Sequence, residues 1–174
     1  MKKIIILIIF LLSLIGMHLF LNYPKTVKEV LLKFSIYELD VDDIIYEGSI
    51  DKEKLLVLFS DRKGFLNGAI FEKSLVFYKL DSFFGGISIT EPYNLQIGDI
   101  KVDISIASYG SEQKYIAYGI IKDKSIEKVM YTDKVLNEIE FKGSRIVYGS
   151  INEIQVLNGY TVYDKLGNNV KHIK

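Results

Sequence analysis

The sequence predicts a mainly β protein: an N-terminal transmembrane helix, a short amphipathic helix, and then an antiparallel β meander or sandwich-like body. Three observations lead there. Residues 4–21 form an apolar run, IIILIIFLLSLIGMHLFL, with no acid, Lys or Arg in it. Val27, Val30, Leu31 and Phe34 recur at the spacing of one helical face. From Ile44 onward, short segments rich in β-branched and aromatic residues alternate with turn signals roughly every 8–12 residues, the rhythm of a sandwich or barrel. The expected divisions are a signal anchor over 1–21, a linker with the amphipathic helix over 22–37, and a β-rich extracytoplasmic domain over 38–174.

The apolar run, as a helix, is about 27 Å long against a hydrocarbon core of about 30 Å. Lys2 and Lys3 precede it, and positive charge stays on the cytoplasmic side. The expectation is a single-pass protein of the cell membrane, its N-terminus cytoplasmic and its body outside, with the lipid bilayer as partner of residues 4–21. A cleaved signal peptide is the alternative and would leave a secreted protein. It is disfavoured because no Ala-x-Ala-like site follows the run.

Beyond Pro24, Thr26 and Glu29 match a capping box and start a helix over residues 27–34. Residues 38–53 hold seven acids, among them Asp40, Asp42 and Asp43. A calcium loop needs more ligands at set positions and a turn glycine, so a solvated acidic edge is expected instead. Strands are expected over 44–50, 54–60, 65–71 and 75–80, with residues 61–64 as a turn ending in Gly64. Phe83, Phe84, Gly85 and Gly86 are a possible recognition loop. A bulged strand with one ring in the core and the other outside is the favoured reading, since Gly in a strand marks such bends. Residues 91–94 break the pattern and Gly98-Asp99 turns the chain. Further strands are expected over 100–107, 114–122, 126–132, 135–142, 145–148, 153–157, 160–164 and 169–173, the 135–141 stretch having a short helix as its alternative. The last two flank Gly167-Asn168, which suits a hairpin link, and this hairpin is expected to close the sheet.

Leu75-Val76-Phe77-Tyr78 with Phe83-Phe84-Gly85-Gly86, then Ala117-Tyr118-Gly119-Ile120-Ile121, and the closing Tyr163-Asp164-Lys165-Leu166-Gly167-Asn168 carry a resemblance. The chain resembles small signal-anchored extracytoplasmic β-rich proteins of low-GC Gram-positive bacteria. Similar chains often have Leu-Phe-Gly-Trp where this one has Phe-Phe-Gly-Gly, so the missing Trp is a departure. The resemblance implies location and fold, and carries no activity.

Composition narrows the function classes. The 22 basic and 22 acidic groups leave no basic excess to suggest nucleic acid. With no Cys there is no thiolate metal site and no Cys nucleophile. Outside the apolar run, His172 is the one histidine, close to the end of the chain, a poor basis for a Ser-His-Asp arrangement or a zinc site. Paired carboxylates of a hydrolase acting on the cell envelope are the remaining enzymatic alternative. The expectation is therefore a non-enzymatic binding or interaction module without a cofactor, with an envelope protein or polymer as partner.

Overall fold

The computed structural model describes residues 2–22, 26–33, 41–73, 78–89, 102–110 and 114–173. Helix α1 is Lys2–Asn22 and α2 is Val27–Lys33. The strands are β1 Val41–Ser49, β2 Lys54–Asp61, β3 Phe65–Lys73, β4 Tyr78–Ser88, β5 Val102–Tyr109, β6 Lys114–Ile121, β7 Ile126–Tyr131, β8 Lys134–Val135, β9 Asn137–Phe141 and β10 Ser144–Ile151. Helix α3, Glu153–Asn158, precedes β11 Tyr160–Asp164 and β12 Asn169–Ile173.

The transmembrane expectation is corrected. Among the described residues no helix is long and apolar enough to cross a membrane. The signal anchor and the single-pass membrane location fall with the span.

The mainly β body is three four-stranded antiparallel sheets. Sheet A has the order β1-β2-β3-β4, sheet B β5-β6-β10-β9, and sheet C β12-β11-β7-β8. They stack in layers under α2. One face of sheet A takes Val27, Val30 and Leu31 of α2 onto Val57, Phe59, Ala69 and Phe71. Its other face packs Leu56, Leu58, Leu66 and Ile70 against Ile116, Tyr118, Ile120 and Ile146 of sheet B. The far face of sheet B sets Ala117, Ile121 and Val147 against Ile126, Val129 and Val162 of sheet C. Sheets A and B are thus covered on both faces. That is why β2, β3, β6 and β10 are apolar almost continuously rather than by alternation, and buried along most of their length.

The amphipathic helix forms as the sequence predicts. The Thr26 hydroxyl accepts from the Glu29 amide at 3.1 Å, and α2 buries its 27/30/31 face. Phe34, Glu38, Asp40, Leu75, Val76, Phe77, the 91–94 break and the Gly98-Asp99 turn lie outside the described residues.

Two local expectations change. The 153–157 strand is helix α3. Asn152 and Gln155 cap each other, the Asn152 side chain accepting from the Gln155 amide at 2.9 Å and the Gln155 side chain accepting from the Asn152 amide at 3.0 Å. The single 135–142 strand is two. It breaks at buried Leu136, so that β8 pairs in sheet C and β9 in sheet B. The bulged strand expected at Phe83–Gly86 forms, as part of β4 running on to Ser88.

Sheets B and C are interlaced. The chain passes from β5 and β6 in B to β7 and β8 in C, back to β9 and β10 in B, then through α3 to β11 and β12 in C. Sheet A is a simple meander completed before either begins.

Candidate functional site

Phe83, Phe84, Gly85 and Gly86 lie within an edge strand, paired to β3 across a register shift between Leu66 and Asn67. Gly86 sits at that shift with φ of 102°, where L side chains are strained. The two rings divide across sheet A. Phe84 enters the A–B interface, 4.7 Å centroid to centroid from Tyr118, and its ring occupies the space a Cβ on Gly68 would need. Phe83 points the other way, 6.1 Å from Phe59 and 36% exposed. These residues serve the packing of edge strand β4.

Of the acidic stretch, Asp42 and Asp43 both contact the Lys142 ammonium, at 3.1 and 3.0 Å. They pin the start of β1 to the β9–β10 turn. Among the described residues no group of three or more His, Cys, Asp or Glu side chains is placed to hold a metal ion.

A cleft of about 400 Å³ opens where three connections meet at one end of sheets B and C. Its lining includes Lys122, Asp123 and Lys124 from the β6–β7 link, Glu140 and Arg145 from the two sides of the β9–β10 turn, and Lys165 from the β11–β12 turn. Local rules build each part. Residues 142 and 143 have φ of 47° and 76°, the positive pair that a tight two-residue hairpin turn requires. Asp123 accepts from the amide and hydroxyl of Ser125, at 2.8 and 2.7 Å, and so folds its own link. The Lys165 amide donates to the Ser125 carbonyl at 3.1 Å, which brings the β11–β12 turn beside that link.

Two cations are held by backbone. Arg145 donates from its guanidinium to the carbonyls of Ile126 at 2.6 Å and Glu127 at 3.4 Å, and its Nε lies 2.8 Å from Glu138. Lys122 donates to the Ser88 carbonyl of β4 at 3.1 Å. Lys124 and Lys165 make no ion pair among the described residues. Glu138 offsets Arg145, so three lysines face Asp123 and Glu140 with one positive charge in excess. Beside the cleft, burial raises the Asp103 carboxyl above its usual range and nearby Lys122 partly opposes the shift.

Tyrosines fill the layer interfaces. Burial raises Tyr118, Tyr131 and Tyr148, and pushes Tyr160 up to about 12, with the charge of Asp103 adding to it. Each is favoured neutral in the fold. Their contribution is therefore fully present below the unfolded value of about 10 and is lost as pH rises through the folded one, about 12 for Tyr160. A pH titration should show stability falling from about pH 10 upward, with tyrosinate absorbance appearing together with loss of β circular dichroism. Full tyrosinate absorbance in a still-folded protein would contradict the tight interfaces.

The cleft residues escape sequence reasoning because they sit on three connections, with 16 positions from Lys124 to Glu140 and 20 from Arg145 to Lys165. Lys122 and Lys124 read only as turn charges until strand pairing is known. Comparisons with protein-family models, with curated proteins and with solved structures return no match for this chain.

Proposed function

We propose that the β body is a binding module that takes an anionic group into the cleft between the β6–β7 link and the β9–β10 and β11–β12 turns. The observation that carries this reading is the convergence of Lys122, Lys124, Arg145 and Lys165 on one concavity from three separate connections. Carbonyl bonds already orient Arg145 and Lys122, so part of the ordering cost is met before a ligand arrives. Lys124 and Lys165 are left to neutralise added negative charge. Inorganic phosphate titrated into the protein by calorimetry should bind saturably, and more weakly as salt rises. The double variant Lys124→Glu, Lys165→Glu should lose roughly tenfold or more in affinity, since it turns two attractions into repulsions. No saturable binding by the native protein, or equal binding by the variant, would overturn the reading.

A further inference from the structure

We propose that the ligand is a linear polyanion carrying several phosphate-like groups, one seated in the cleft and the next ones lying along a row of cations toward the β2–β3 turn. This rests on the cleft reading and extends it. The row is built by two hydrogen bonds. The Lys122 ammonium donates to Ser88 at 3.1 Å, and the neighbouring Ile89 amide donates to Gly64 at 2.7 Å. Gly64 ends the β2–β3 turn, whose tip exposes Arg62 and Lys63. Lys63, like Lys124 and Lys165, makes no ion pair among the described residues.

The connecting turns of sheets A, B and C therefore present cations in sequence at one end of the stack. With packed sheets about 10 Å apart, the row is about 20 Å long, too long for a single small anion to neutralise. Several acids at this end are engaged locally. Asp61 accepts from the Phe65 amide at 2.9 Å and from the Asn67 side chain at 3.2 Å. Asp164 accepts from the Leu166 and Asn168 amides at 2.9 and 2.8 Å. Asp42 and Asp43 hold Lys142. Among the described residues the cleft lining contains no aromatic ring to serve as a platform on which a nucleobase can stack. That favours a chain of anionic groups without bases.

The experiment is calorimetry on the full chain with orthophosphate, tripolyphosphate and long-chain inorganic polyphosphate at one ionic strength. Affinity per chain should rise with length, by roughly fivefold for each added cation that the ligand reaches. Lys63→Glu, which lies outside the cleft, should leave orthophosphate binding unchanged and remove much of the gain from the long chain. Lys124→Glu should weaken all three ligands. Should orthophosphate bind but chain length or Lys63→Glu make no difference, the extended row is wrong while the cleft reading stands. Should none of the three bind, both fail together. A single-stranded oligonucleotide of equal charge binding tighter than polyphosphate would overturn the base-free ligand.

Discussion

Ending the chain after Asn158 should leave the body unable to fold. The deletion removes β11, which lies between β7 and β12 inside sheet C, together with edge strand β12. Val162 is fully buried, and Tyr160 lies 5.5 Å from the ring of buried Tyr131. Removing them also uncovers Ile126, Val129 and Tyr131, which share their cluster. Losing or uncovering three to four such side chains at roughly 1.5–3 kcal/mol each amounts to about 5–12 kcal/mol. A domain of this size has about 5–15 kcal/mol in total. Circular dichroism of the truncated protein should show no cooperative melt. Melting near the temperature of the intact chain would mean that sheet C is an appendage. Within this hairpin Val162 of β11 is buried, whereas Val170 of β12 is 42% exposed.

The second large effect separates neighbouring residues. Phe84→Ala should cost about 3 kcal/mol, because its ring fills the A–B interface over Gly68 and against Tyr118. Phe83→Ala should cost about 1 kcal/mol or less, since that ring is partly in water and touches the core only beside Phe59. Denaturant melts of the two variants check this directly. Equal losses would mean that the alternation of β4 across sheet A is misassigned.

Most strands can be read from the chain because burial on two faces leaves dense apolar runs, as in Leu55-Leu56-Val57-Leu58-Phe59. The failures have separate physical causes. Helix α3 was signalled by Asn152 and Gln155, but Ile154, Val156 and Leu157 also satisfy a strand pattern, and Ile154 and Leu157 remain exposed on the helix. The break at Leu136 shows only as a slip in the alternation, Val135 and Leu136 both apolar and Asn137 and Glu138 both polar, and the two partner sheets do not follow from it. The bulge at Phe83–Gly86 was legible, since paired glycines after two rings mark a bend, and they serve a bulge and a close approach to Asn67. The cleft was not legible at all. Its cations come together through hairpin register, and register follows from which faces are buried.

The interlacing of sheets B and C sets how the molecule can come apart. The chain crosses between those two sheets three times, so the two share one cooperative opening. Sheet A and α2 have no strand in either. They meet sheet B through apolar contact and a few polar links, among them Lys142 with Asp42 and Asp43, Lys122 with Ser88, and Lys114 with Asp51 at 3.5 Å. A partial opening can therefore run between A and B while every ladder stays intact. The Lys122 bond spans that same seam, so a ligand drawn across the row would act as a clasp, raising the free energy of that opening by its own binding energy.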